Sequence, residues 1–180
     1  MRDNQTPTAN PEHRQNIVLI GMPGVGKSTL GVLLAKALGY DFLDTDLLIQ
    51  RRAGQTLAAY LKNHDYRALR QLEADVIQSL NCGATVIATG GSAVHSTDAM
   101  THLRGSGLFV YLRCPIETLS ARIASMADRG IAAPPQQTLA QIQAERSPLY
   151  EAFADITLDL ADTSSATALT ALLAVLPDFA

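Results

Sequence analysis

The stretch Gly21-Met22-Pro23-Gly24-Val25-Gly26-Lys27-Ser28-Thr29 has the residue types and spacing to hold a chain of phosphates. It fits the pattern Gly-x-x-x-x-Gly-Lys-[Ser/Thr], known as the P-loop. Glycines let the backbone turn sharply, so that successive N–H groups from Gly24, Val25 and Gly26 through Lys27, Ser28 and Thr29 can point at phosphate oxygens. The Lys27 ammonium can then reach the β- and γ-phosphates, and the Ser28 hydroxyl can hold Mg²⁺. An ordinary glycine-rich turn is the bland alternative. The apolar run Ile17-Val18-Leu19-Ile20 before the loop and the helix-forming stretch after it favour the phosphate site.

Phosphoryl transfer also needs an acceptor hydroxyl held in line and positive charge over the transferred group. Asp44 and Asp46, at i, i+2, suit one carboxylate aimed at the Mg²⁺ shell and one at the acceptor hydroxyl. A helix N-cap is the competing reading, and Asp46 alone could be only that, but two aspartates at this edge favour the functional one. Gly90-Gly91 allows close backbone approach to a ligand, although any strand-to-helix turn can use glycine. Arg70 reads, from its neighbours alone, as a solvated arginine paired with Glu73 one turn away. Arg129 lies in a stretch without periodicity, where a cation could close over the phosphates. Arg146 lies in a helix and could equally be a surface residue. His13, His64, His95 and His102 make no constellation with a nucleophile or a metal, and no role is assigned to them.

These residues need a scaffold that brings them to one place. The spacing predicts five strands: Asn16 to Ile20, Asp41 to Asp44, Thr85 to Ala88, Leu108 to Leu112 and Asp155 to Leu160. Between them lie helices, the most clearly amphipathic running from about Tyr66 to Leu80, with Leu69, Leu72, Val76, Ile77 and Leu80 on one face. Strands apolar on both faces and separated by helices imply a parallel sheet covered on both sides, a three-layer α/β/α domain. Ligands bind such sheets at the carboxyl ends of the strands, where the P-loop, Asp44-Thr45-Asp46 and Gly90-Gly91-Ser92 all fall. The aspartate strand is expected to lie beside the P-loop strand. A helix is expected from Pro115 to about Met126, and residues 127–137 are expected to form a mobile lid.

Composition bounds the class. The 180 residues, 47% apolar and 17% charged, suit one domain with a real core, here 16–180 after a loose polar tail at 1–15. A net charge of −3 gives no basic field for nucleic acid and no polybasic membrane signal. Cys82 and Cys114 lack metal-ligand spacing and read as small buried thiols. The tail, with Pro7 and Pro11, lacks the apolar core of a signal peptide, and the run from Ala168 to Leu176 is too short to span a bilayer. A cytoplasmic monomer is expected.

In combination, the motifs resemble the shikimate kinase family. The resemblance runs from Ile17 to about Asp159 and rests on the P-loop, Asp44-Thr45-Asp46, Arg70-Gln71-Leu72-Glu73, Thr89-Gly90-Gly91 and Glu145-Arg146-Ser147-Pro148-Leu149-Tyr150. It implies an α/β fold of the P-loop kinase type, ATP and Mg²⁺ as cofactors, and a small carboxylated polyol, shikimate, as acceptor. It further implies Asp44 in the metal shell, Asp46 on the reacting hydroxyl, and Arg70 and Arg146 on the substrate carboxylate. Gly91 would offer its backbone to the substrate, Arg129 would reach the phosphates from the lid, and Arg122 and the loop near Thr163 would flank the adenine. Lys27, Asp46 and Arg129 would be the catalytic set.

The chain departs from the family on the acceptor side. The third residue of the glycine turn is Ser92, and the lid reads Arg129-Gly130-Ile131-Ala132 in place of Arg-Pro-Leu-Leu. Leu61 and Leu69 stand where aromatic residues are usual, and Asp65-Tyr66 stands where a Gly-Glu pair is usual. The alternatives are a kinase of the same build acting on another hydroxy acid such as gluconate, and a nucleotide-binding relative without turnover.

Overall fold

In the computed structural model, which describes residues 15–124, 130–161 and 163–177, β1 (Asn16–Ile20) lies at the centre of a five-stranded parallel sheet. The strand order is β2 (Asp41–Asp44), β3 (Thr85–Ala88), β1, β4 (Gly107–Arg113), β5 (Ile156–Asp159). Every pairing is parallel, with Ile17 opposite Val86 on one side and Leu108 on the other. Parallel neighbours need long crossovers, and the helices between strands supply them. The sheet and its covering helices enclose the main core, in which Ile17, Leu19, Phe109 and Leu112 are fully buried.

The aspartate strand does not lie beside the P-loop strand; β3 stands between them. Burial explains the order. All four β3 residues are buried and apolar apart from Thr85, which suits a strand covered on both faces and paired on both edges. β2 begins and ends in aspartate and is only partly buried, which suits an edge. The order reverses at β1, so the crevice at the carboxyl ends opens above the P-loop.

α1 (Lys27–Leu38) starts directly from the P-loop and stops at Gly39, which takes the left-handed conformation of a C-cap. α2 (Thr45–Ala53) begins at Thr45, two residues earlier than its apolar pattern suggests, because the Asp44 carboxylate accepts a bond from the Asp46 N–H at 2.9 Å. α3 (Leu57–Asn63) and α4 (Tyr66–Gln78) are capped by the Thr56 and Asp65 side chains. α4 turns Leu69, Glu73, Ala74, Val76 and Ile77 inward. A 3₁₀ turn, Ala93–His95, follows the second glycine turn and leads into α5 (Thr97–Arg104). α6 (Ile116–Ala124) ends before residues 125–129, which lie outside the described part of the chain, so its predicted extension to Met126 does too. α7 (Leu139–Phe153) opens on a Thr138/Gln141 capping box and α8 (Ser165–Val175) closes the chain.

Of the loop expected at 127–137, the part from Gly130 to Ala133 is packed, whereas Pro135 and Gln136 are exposed. A side chain at Gly130 would come within 2.7 Å of the Leu57 backbone, and Ala132 is buried. Ala132 joins a second, smaller apolar cluster with Ile49, Leu69 and Val76. Among the described residues no helix is long and apolar enough to cross a membrane.

Candidate active site

The nucleotide side is built from backbone. Gly21, Gly24 and Gly26 have φ of 143°, 79° and 104°, a region that side chains strain to enter. At Gly24 a Cβ would also come within 2.8 Å of Ile123. α1 has no side-chain cap at Gly26, so its first N–H groups are left for an anion. Lys27 is buried, and its Nζ donates to the carbonyls of Gly21 at 2.7 Å and Met22 at 2.9 Å, which hold the ammonium over the loop. Arg122 Nη1 donates to the Val25 carbonyl at 3.1 Å. Arg122 and Thr163 line one cavity of about 250 Å³ with Gly24, Gly26 and Thr29, which brings together the residues expected around a nucleotide. Arg129 lies outside the described residues.

Ser28 Oγ donates to Asp44 Oδ2 at 2.6 Å. The hydroxyl and carboxylate meet beside a cavity of about 450 Å³ that Asp46 and Gln50 also line. Among the described residues no group of three or more His, Cys, Asp or Glu could hold a metal by itself. Mg²⁺ needs no such group, since it is usually held by one or two protein oxygens together with phosphates and water. Ser28 and Asp44 fit that role. The aspartates thus divide: Asp44 is both N-cap and partner of Ser28, whereas Asp46 stands in the first turn of α2 and lines the second half of the site.

That half is built from side chains delivered by separate elements. Thr45, fully buried, accepts the Gly90 N–H on its Oγ1 at 2.9 Å and so fastens the start of α2 to the glycine turn. Gly91 packs against the Pro23 ring, where a Cβ would come to 2.8 Å, and its carbonyl accepts the Tyr150 hydroxyl at 2.5 Å. Burial raises the proton affinity of that hydroxyl, which keeps it a donor. Asp46, Glu73, Gly91, Ser92, Ala132 and Arg146 line a small cavity of about 30 Å³, with room for a water or two.

Two arginines converge on one oxygen there. Arg146 Nη2 donates to the Ala132 carbonyl at 2.7 Å and Arg70 Nε donates to the same oxygen at 3.2 Å. Arg146 is 1% exposed, and its Nε has no hydrogen-bond partner; neither has Arg70 Nη2, which lies 3.8 Å from Glu145. Burial and the neighbouring Arg146 lower the proton affinity of Arg70, and the Tyr66 ring supports its guanidinium at 5.0 Å. Buried guanidinium groups with donors to spare favour an anion with several acceptor oxygens.

Arg70 is therefore not the surface partner of Glu73 that its spacing suggests. Glu73 turns inward, is 3% exposed, and accepts a short bond from the Ser92 hydroxyl. Burial pushes its carboxyl up to about 7, and Asp46 pushes in the same direction. Neither Glu73 nor His95 was singled out by sequence reasoning. His95 Nε2 sits 3.5 Å from Glu145, and burial with Arg70 and Arg146 beside it pushes the ring down to about 4. Only the position of Glu73 three residues after Arg70 hinted at either.

A phosphate cradle, hard oxygens for a divalent cation, an aspartate and an anion clamp meet at one edge of the sheet. The chemistry they can perform is phosphoryl transfer from a nucleotide to a small acidic alcohol, which places the chain among P-loop kinases of small molecules. A family model described as "Shikimate kinase" matches residues 23–177. A shikimate kinase of Methylococcus capsulatus is 35% identical over 159 residues, covering 87% of this chain and 89% of the relative. One from Caldanaerobacter subterraneus is 36% identical over 151 residues, covering 82% and 88%. Among solved structures, a shikimate kinase from Acinetobacter baumannii in complex with shikimate superposes with a TM-score of 0.81 at 31% identity, covering 90% of this chain and 92% of that one. The chain belongs to the shikimate kinase family.

Proposed function

We propose that this enzyme transfers the γ-phosphoryl group of ATP to a hydroxyl of shikimate, giving shikimate 3-phosphate within aromatic amino acid biosynthesis. The observation that carries this reading is the meeting of Arg70 and Arg146 at the Ala132 carbonyl, beside a cavity that Arg146, Ala132 and Asp46 line. The acceptor's carboxylate takes the place at the two guanidinium groups that the Ala132 carbonyl now holds, and the 130–133 segment moves to admit it. Two charge-assisted contacts fix the ring, and with it which hydroxyl faces the phosphate.

Asp46 orients that hydroxyl and accepts its proton as the oxygen forms a bond to the γ-phosphorus. The bond to the β-bridging oxygen breaks, and ADP leaves with the displaced charge. Lys27 turns from the loop carbonyls to the phosphates, and the P-loop N–H groups hold the rest of the chain. Ser28 and Asp44 hold the Mg²⁺ that offsets phosphate charge when bound. Arg129, seven residues beyond Arg122, adds a cation over the phosphates, while Arg122 and Thr163 flank the adenine. The enzyme acts as a monomer in the cytoplasm.

A coupled ADP-release assay over shikimate, quinate, gluconate and nucleoside monophosphates tests the reading. Turnover on shikimate with ATP and Mg²⁺ is expected. Turnover on gluconate without turnover on shikimate would refute it, as would tight ATP binding with no turnover on any acceptor.

A further inference from the structure

Ser92 and Glu73 form a buried pair that the reaction above leaves unused. Both line the acceptor cavity, at 6% and 3% exposure. Ser92 Oγ donates to Glu73 Oε2, whereas Oε1 is buried without a hydrogen-bond partner. Gly90 locates that oxygen. A side chain built on Gly90 would strike Glu73 Oε1 and come within 2.9 Å of Asp46 Oδ1. Carboxylate oxygens from α4 and α2 therefore converge on one side of the glycine turn. An unpartnered buried carboxylate oxygen is costly, and two carboxylates close together repel. A ligand O–H placed there would relieve both penalties.

We propose that Ser92 is a positioning residue for the acceptor: its hydroxyl fixes the Glu73 carboxyl beneath Gly90, so that Oε1 accepts a hydrogen bond from a hydroxyl of the substrate other than the one being phosphorylated. The role rests on the reading of the acceptor as a polyhydroxy acid. It makes the pair a selector for that second hydroxyl, alongside the arginines that select the carboxylate. A site that has built a buried acceptor for an O–H discriminates strongly against an analogue lacking it, since the acceptor is then left unpaired.

Charge supports the geometry. Glu73 is held near neutrality in its proton affinity by opposing groups: burial and Asp46 favour the protonated form, while the Ser92 hydroxyl, Arg146 and Lys27 favour the ionised one. Arg70, one turn away on the same helix, and Tyr150 of α7 also act on it. Removing the Ser92 hydroxyl withdraws one of the groups that keep Glu73 ionised. Its carboxyl then binds a proton at higher pH and ceases to be a pure acceptor.

The test compares Ser92→Ala and Ser92→Gly with Ser92→Thr in the full chain, using shikimate and its 4-deoxy and 5-deoxy analogues. Ser92→Ala should raise KM for shikimate about tenfold, the loss of one hydrogen bond to a charged group, with KM for ATP unchanged. The acid limb of kcat/KM should move to higher pH, and Ser92→Thr, which keeps the hydroxyl, should restore it. For one of the deoxy analogues the effect of Ser92→Ala should vanish. Should Ser92→Ala not fold, Ser92→Gly carries the same comparison with less in the cavity. Equal losses on shikimate and both analogues, or an unmoved acid limb, would overturn the proposal. If the wild type uses another hydroxy acid, the same comparison runs on that acid and its deoxy forms, so failure of the acceptor's identity and failure of the Ser92 role give different results.

Discussion

The two halves of this site are made of different materials. The phosphate cradle of the nucleotide half is one continuous segment, Gly21 to Thr29, whose positive-φ glycines and uncapped helix start present backbone N–H groups. The acceptor half draws Asp46 from α2, Glu73 and Arg70 from α4, Gly91 and Ser92 from the turn after β3, Ala132 from the loop and Arg146 from α7. Its contacts join residues far apart in sequence, such as Arg70 with Ala132 and Tyr150 with Gly91. A backbone site tolerates change in everything except its glycines, its lysine and the Ser28 hydroxyl. A side-chain site depends on each of several elements.

The sharpest way to separate the halves is a pair of substitutions. Lys27→Met should lower kcat by about a hundredfold or more and weaken ATP, yet leave acceptor binding unchanged by calorimetry without nucleotide. Asp46→Asn should lower kcat by roughly a thousandfold, with ATP affinity within about twofold of the wild type. A large loss of ATP binding in Asp46→Asn would erase the division.

Arg146→Lys should come next. Lysine keeps the charge and loses the planar fork, so KM for the acceptor should rise by about ten- to a hundredfold, with little change in KM for ATP. Retention of wild-type KM would mean that Arg146 only packs the core.

How far these halves were legible in the sequence follows from their construction. The P-loop was legible because its chemistry is local: spacing alone brings Lys27, Ser28 and the glycines together. The parallel sheet was legible because β1 and β3 are apolar throughout. The place of β2 was not, since pairing order depends on which strand can be buried on both edges. Asp44 and Asp46 were recognised as a pair, but only the start of α2 at Thr45 shows which one caps the helix. Arg70 looked like a surface residue, because nothing local reports that Ala132, 62 residues away, will meet it. Glu73, Ser92 and His95 gain their roles from burial and from neighbours on other elements, which no spacing encodes.

Buried titrating groups give the smallest predicted effect, on stability. The Glu73 carboxyl, at about 7 against an ordinary 4.5, binds a proton in the folded state more tightly than in the unfolded one. Its contribution is full below about 4.5 and is lost as pH rises through about 7. His95, at about 4 against 6.5, acts in the opposite sense: its contribution is present above 6.5 and is lost as pH falls through about 4. Between pH 5 and 6.5 the two slopes oppose one another. Glu73→Gln should therefore make Tm rise with pH across that window, and His95→Gln should make it fall, each read as a slope by thermal denaturation. Parallel slopes in both variants would contradict the burial assigned to these side chains.

The central claim is that the two arginines hold the acceptor by its carboxylate, and the most direct measurement compares shikimate with its methyl ester in the ADP-release assay. The ester keeps every hydroxyl, removes the negative charge and adds one methyl group. The account predicts a fall in kcat/KM of about a hundredfold or more, with KM for ATP unchanged and the residual activity insensitive to Arg146→Lys. Equal turnover of acid and ester would contradict it.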